Sequence, residues 1–465
     1  MNAVSTEIPA VPSSETSLQK EGLLTLLLGL AVVLVIMNTA MFNLALPDVT
    51  ETFGLSASVS SLIVTGYSIM FAISSITFSR LADFLPIRRL LAIGLLTLGL
   101  AAIAGLFSAS FWFLLAVRVI QASGAGAIVS LSLVLLTRYV PVQRRGKAMA
   151  LIMSAVSLGL GLGPVAGGAI VEYWGWRYLF VVTALTLVLI PFFLLYIPKE
   201  KTARGAFDAP GAIFVAIGTT GLLLFLTESS GIALACGLVA LALFIWRIRS
   251  TPEPFVSPAL FGNGAYLTLS LTGIASYLCS FATLFLLPQI LVHHFHLSAS
   301  HAGLIIFPGS MLAMVASRKV GSVIDQHGNG AILRFVPLLM LSAMTLFALF
   351  SGQSWLAILF IYLLTSLGFT IISSSVSNEI SRILPASQIG SGMGLFQLLQ
   401  FFSGAFSIAL ASSAIEWQHG LPQTTAYSNI FWGLTAIALL AIASSYAYLR
   451  SASVPGQRSC GSLEA

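Results

Sequence analysis

Phe111-Trp-Phe-Leu-Leu-Ala-Val-Arg118-Val-Ile-Gln121-Ala-Ser-Gly-Ala-Gly126-Ala-Ile-Val-Ser-Leu-Ser-Leu-Val-Leu-Leu-Thr137 is a run of apolar and small residues interrupted by one charge, Arg118. A helix needs about 20 such residues to cross the hydrocarbon of a bilayer, and a helix is one of the two structures that satisfy their own backbone there. The stretch therefore reads as a membrane helix with an arginine well inside it. The same pattern recurs along the chain and gives fourteen spans, near 22–46, 57–79, 90–109, 111–137, 148–171, 177–197, 209–228, 231–247, 264–290, 302–324, 332–351, 355–377, 391–415 and 427–449. The weakest is 231–247, which is short and almost continuous with its predecessor.

Composition agrees. Of 465 residues 57% are hydrophobic and 8% charged, where a soluble chain carries charge on roughly a quarter. With a mean hydropathy of +0.99, the apolar surface exceeds what one globular core can bury, so the excess faces lipid. The expected class is all-α and polytopic. The net charge of +6 does not point to nucleic acid, because the basic residues fall in short clusters between spans and form no contiguous basic face. Of the 21 Lys and Arg, Arg118 is intramembrane and Arg177 falls on one side, leaving nineteen on the other. That asymmetry predicts both termini on the cytoplasmic side of the cell membrane.

The first twenty residues, with Pro9, Pro12 and several Ser, read as a cytoplasmic tail. Cys236, Cys279 and Cys460 are too scattered for a metal or redox pair. His293-His294-Phe-His296 with His301 falls in an external loop without a carboxylate or thiolate, so no metal is expected. No phosphate-binding Gly-rich loop with Lys and Ser/Thr is present, nor a catalytic set, and neither a cofactor nor an enzyme activity is expected. A faint repeat links Ser79–Arg89 with Gly321–Gly328, each placing an Asp where a helix leaves the membrane. The division this suggests is a tail at 1–21, a six-helix bundle at 22–200, two inserted helices at 201–250, a second bundle at 251–450 and a tail at 451–465.

Several residues carry candidate roles. An arginine at the depth of Arg118 is costly unless it faces a cavity or a partner. It is expected to meet a central aqueous chamber and touch substrate; the structural alternative is satisfaction by carbonyls, Gln121 and water. Asn38, Asn43, Tyr67, Gln121, Gln289, Gln397 and Gln400 could line the same cavity or merely bond to neighbouring helices. Asp83 with Arg88 and Arg89, and Asp325 with basic neighbours, could clamp a cytoplasmic gate through ion pairs and helix-end contacts. In the fifth span Gly159, Gly163, Pro164, Gly167 and Gly168 are expected to form the sliding seam between the halves, since missing side chains allow close backbone approach.

The whole chain resembles the major facilitator superfamily, and within it the fourteen-span drug:proton antiporters that include the Gram-positive tetracycline exporters. The resemblance rests on Asn38–Pro47, Ser79–Arg89, Arg118–Gly126, Arg145-Gly-Lys147, Gly159–Gly168, Trp174–Arg177 and Phe307-Pro-Gly309. It implies a carrier of two six-helix bundles, monomeric, driven by a proton gradient. By resemblance Asp83 and Arg88 belong to the gate motif, Arg118 is the buried arginine of the fourth span, and Gly163-Pro164 belongs to the antiporter motif. The sequence also departs from the pattern. Asn38-Thr39, Leu160 and Gly404 stand where relatives place acids, Ser79 and Pro86 replace gate glycines, and Ala122 follows Gln121. Asp83, Glu172, Glu228, Asp325, Glu379 and Glu416 all lie toward span ends, so the usual carboxylate proton carrier is missing.

The reading that results is a secondary transporter exporting a drug or metabolite by alternating access. One variant is an exporter of an anionic or metal-chelating compound, with the substrate as counter-ion to Arg118. The competing classes are an importer or uniporter and a non-transporting receptor or scaffold.

Overall fold

A computed structural model describes residues 21–55, 57–198, 200, 207–228, 230–252, 254–385, 388–418 and 420–452. Most of both expected tails, with Lys20 and Arg458, and the connection holding Lys199, Lys201 and Arg204 lie outside the described residues. Among the described residues every regular element is helical. The long helices are α1 (Glu21–Phe53), α2 (Ala57–Leu81), α3 (Ile87–Leu106), α4 (Phe111–Tyr139) and α5 (Val142–Trp174). A composite α6 (Trp176–Tyr196) follows, then α7 (Ala209–Glu228) and α8 (Gly231–Ser250). The chain ends with α9 (Gly264–Gln289), α10 (Ala299–His327), α11 (Gly330–Phe350), α12 (Trp355–Ile383), α13 (Ile389–Glu416) and α14 (Gln423–Ala452).

Thirteen of these, among the described residues, are long and apolar enough to cross a membrane. Helix ends also run past the hydrophobic spans. α1 continues through Thr50 and Thr52, whose hydroxyls bond back to Leu46 and Asp48, and α5 begins at Val142 with its charged residues already helical. Hydrophobicity marks the hydrocarbon, while a helix continues for as long as water or side chains satisfy its end.

α6 alternates α and 3-10 turns, with 3-10 segments at Trp176–Tyr178 and Leu185–Leu189. Pro191 explains the second, because it offers no N–H to the preceding turn. α1–α6 pack together, as do α9–α14, and the two six-helix bundles meet along two seams, α5 against α10 and α12, and α2 against α13. α7 and α8 form a tight hairpin in which Gly221 meets the backbone of Gly237; α7 carries the pair's main contacts with the bundles, at α2 and α13. Asp208 fastens its base, pairing with Arg247 at 3.1 Å and accepting from the Phe255 N–H at 3.1 Å.

Candidate functional site: an arginine cage, two seams and a central cavity

Arg118 is 1% exposed. Its Nη1 donates to Gln121 Oε1 at 2.9 Å and to Asn38 Oδ1 at 3.2 Å. Gln121 follows one helical turn later on α4, and Asn38 is presented by α1. The guanidinium lies between two rings, with Cζ 3.9 Å from the Phe42 centroid and 4.1 Å from that of Tyr67. Thr183 of α6 donates to Asn38 Oδ1 at 2.9 Å, and Asn38 Nδ2 donates to the Tyr67 hydroxyl at 3.3 Å. Among the described residues no carboxylate forms an ion pair with Arg118.

This corrects the expectation of an arginine facing a central chamber. In this conformation the guanidinium is enclosed within the first bundle, held by amide dipoles and π faces, both of which stabilise a desolvated cation. Phe42 and Thr183 join the cage without being foreseen from the sequence. Thr183, a hydroxyl in an apolar span, offers a signal there; nothing distinguishes Phe42 from lipid-facing phenylalanines.

The remaining cavity candidates do not converge on Arg118. Gln397 and Gln400 are buried on α13 in the other bundle, with Gln397 Oε1 and Gln400 Nε2 lacking partners among the described residues. Gln289 is half-buried at the end of α9, and the side chain of Asn43 lies outside the described residues. Between the bundles is a cavity of about 10 Å³, walled by Ser157 and Leu160 of α5, Ser280 and Leu284 of α9, and Tyr362, Thr365, Ser366 and Phe369 of α12. Beside it Ser157 and Thr370 hydroxyls bond across the seam at 2.6 Å.

At the basic ends of the helices the bundles are locked. Asp83, just beyond α2, pairs with Arg80 and Arg138, each at 2.7 Å. Its carboxylate fills the place a side chain would take at Gly390, in the first turn of α13, and neighbouring Ser79 donates to the Gly390 carbonyl at 2.7 Å. Burial pushes the Asp83 carboxyl above the usual carboxylate range, and this outweighs the lowering by Arg138 and Arg80. Arg88 is half-buried and Arg89 exposed, and neither pairs with Asp83, so the expected gate cations are replaced by Arg80 and Arg138. One turn of helix puts Arg80 beside Asp83, while Arg88 and Arg89 follow the reversal into α3.

Asp325 makes the corresponding contact on the other seam. It accepts from backbone N–H groups of the first bundle, Gly146 at 2.8 Å and Lys147 at 3.2 Å. Arg145 beside them donates across the seam to the Ser381 carbonyl and hydroxyl, both at 3.2 Å, and back to the Thr137 carbonyl at 2.7 Å. It thereby joins the C-terminal ends of α4 and α12.

The glycines of α5 face elsewhere than expected. Gly159, Gly163 and Gly167 lie one above another against Ile36, Ala40 and Met41 of α1, inside the first bundle. Gly161, like Gly146 nearer the start of the helix, instead faces α10, at Ser310. At 3.6 residues per turn, two residues rotate the direction by about 200°, so Gly161 points away from the other three. Pro164 lies on α5 close to Gly303 of α10, and Gly168 is half-buried. The stripe of small residues is visible in the sequence, and the helix it meets is not.

The family model described as Major Facilitator Superfamily matches residues 28–408. The chain belongs to the Major Facilitator Superfamily. It is 26% identical over 437 residues to the riboflavin transporter RibZ of Clostridioides difficile (strain 630), covering 92% of this chain and 94% of that one. It is 26% identical over 408 residues to the multidrug resistance protein Stp of Mycobacterium tuberculosis, covering 84% of this chain and 76% of that one. Among solved structures, the human organic anion transporter MFSD10 (TETRAN) superposes with a TM-score of 0.66 at 18% identity, covering 89% and 98% of the two chains. The proton:xylose symporter XylE superposes with a TM-score of 0.67 at 14% identity, covering 91% and 95%. This superfamily member is a multi-pass membrane transporter of small molecules and not an enzyme.

Proposed function

We propose that this transporter exports a small organic molecule from the cytoplasm across the cell membrane by alternating access, as a monomer with the basic end and both termini inside, and that proton movement drives it. The observation that carries the reading is the matched pair of seam contacts. Asp325 of the second bundle rests on Gly146 and Lys147 of the first, and Asp83 of the first rests against Gly390 of the second. Asp83 sits at the first turn of α13, where the helix dipole favours negative charge, and Asp325 takes two backbone N–H groups from the second turn of α5. Such contacts are strong while made and separable by a rigid rotation, as rocking requires.

The riboflavin transporter among the relatives supplies one probe, and a generic drug cation serves as the other. Everted vesicles with an imposed proton gradient, presented with riboflavin and with the drug cation ethidium, should accumulate at least one of them. Accumulation that persists after the gradient is collapsed would remove proton coupling, and no movement of any small molecule would remove export.

A second reading, an anionic substrate, is favoured by the uncompensated charge of Arg118. It requires Phe42 and Tyr67 to swing aside, because the cage is closed in this conformation. Arg118→Ala should then abolish transport of an anionic probe more severely than of a neutral one; equal loss would assign Arg118 to the scaffold.

A further inference from the structure

Six aromatic rings run in unbroken contact through the middle of the molecule and join its bundles. Tyr67 and Phe71 of α2 stack with centroids 6.1 Å apart. Phe71 meets Phe401 of α13 at 4.4 Å in an edge contact, and this step crosses the seam. From Phe401 the chain continues to Tyr277 of α9 at 5.9 Å, which stacks with Phe281 at 5.5 Å and meets Phe369 of α12 at 5.0 Å. Phe369 is also a wall of the central cavity, so the ring chain ends at a face lined by hydroxyls.

That face has spare hydrogen-bonding capacity. Ser280 lies one turn beyond Tyr277, is buried, lines the cavity and has an Oγ without a partner among the described residues. Thr365 and Ser366 stand with it, and none of the cavity's described walls is charged. π faces therefore meet neutral hydroxyls at the place where the bundles join.

We propose that this is the substrate subsite and that the compound carried contains a planar, conjugated ring system with hydrogen-bonding groups on its edge. The inference rests on the transport reading and names the chemistry of its substrate. A cavity of about 10 Å³ has room for about one water, so a ring enters only when the bundles part. Parting α2 from α13 separates Phe71 from Phe401. A ligand ring inserted between them makes edge and face contacts with both and bridges the gap in the ring chain. An aliphatic ligand of equal size offers no quadrupole for either ring, and Ser280 with Thr365 and Ser366 selects polar edges over bare hydrocarbon.

The test is binding to the purified full-length protein in lipid nanodiscs, with empty nanodiscs as the baseline. The probe is acridone, a neutral fluorescent planar tricycle with an N–H and a carbonyl on its edge. The competitor is cyclododecanone, a neutral non-planar ketone. Acridone should bind, and cyclododecanone should fail to displace it. Phe401→Leu and Tyr277→Leu should each weaken binding roughly three- to tenfold, the range expected for one aromatic contact. Phe401→Tyr and Tyr277→Phe, which keep the rings and guard against misfolding, should retain it, and Ser280→Ala should weaken acridone binding.

Equal binding to wild type and the leucine variants, or displacement by cyclododecanone, overturns the ring subsite. Failure of acridone to bind while vesicles still move riboflavin or ethidium overturns it too and leaves the transport reading standing. A protein that neither binds acridone nor moves a vesicle probe loses both.

Discussion

The Asp325 carboxylate accepts a hydrogen bond from the Gly146 backbone across 2.8 Å, and those two residues belong to different bundles. A Cβ on Gly146 would overlap Ile324 and the same carboxylate, so close approach depends on glycine at that position. On the other seam a Cβ on Gly390 would likewise overlap the Asp83 carboxylate.

Removing Asp325 should therefore open the basic end. Asp325 accepts two hydrogen bonds across the seam, and each bond to a charged group contributes about 1.5–3 kcal/mol, so Asp325→Ala should shift the closed-to-open ratio by roughly 100-fold or more. Asp325→Asn retains one acceptor oxygen and should shift it less. The measurement is the alkylation rate of a cysteine at Ser391, which is buried beside Gly390, in protein lacking Cys236 and Cys460. Unchanged alkylation in the alanine variant would dissociate Asp325 from the gate.

Two glycines of α5 should behave differently although they are two residues apart. A methyl at Gly163 would press on Ala40 of the same bundle, and overpacking of this kind costs about 1–3 kcal/mol. Gly163→Ala should lower the melting temperature in detergent. A methyl at Gly161 would press on Ser310 of the opposite bundle, so Gly161→Ala should raise Ser391-cysteine alkylation with a smaller change in melting temperature. Equal thermal losses with no change in alkylation would contradict the assignment of the two faces.

Helix spacing of this kind is legible in one sequence, and the neighbour it meets is not. The i, i+4 spacing of Gly159, Gly163 and Gly167 announces a close helix contact without naming α1, since the partner is set by tertiary packing. The fourteen helices are legible because apolar length follows from bilayer thickness, and the burial of Arg118 is legible because a lone charge in an apolar run needs partners. Arg138 cannot be told from other loop cations. It lies 55 positions from Asp83 in sequence and meets it only because α2 and α4 are neighbours. Arg145 is hidden in the same way, its partner Ser381 being 236 positions away.

Arg118 should not be replaceable by lysine. Its planar guanidinium stacks between Phe42 and Tyr67 while donating to Asn38 and Gln121, and an ammonium reproduces the charge but not the plane. Arg118→Ala leaves two buried acceptors with fewer donors, at about 1–3 kcal/mol apiece. Thermal unfolding should rank wild type above Arg118→Lys above Arg118→Ala. A lysine variant with wild-type melting temperature would show that charge alone matters in the cage.

Asp83 should make closure of the basic end depend on pH. In the closed structure burial holds its carboxyl above the usual carboxylate range, despite Arg138 and Arg80. When the end opens and water reaches Asp83, the carboxyl returns toward an ordinary value of about 4. Between those two values the closed form binds more protons than the open form, so closing takes up protons and acid favours it. As pH rises through the raised closed-state value, that preference is lost. The Ser391-cysteine alkylation rate should therefore fall as the medium on the basic side is acidified toward the ordinary carboxylate range. Asp83→Asn, which cannot titrate, should flatten the response. A rate that increased on acidification, or the same slope in the asparagine variant, would show that some other group sets the pH response.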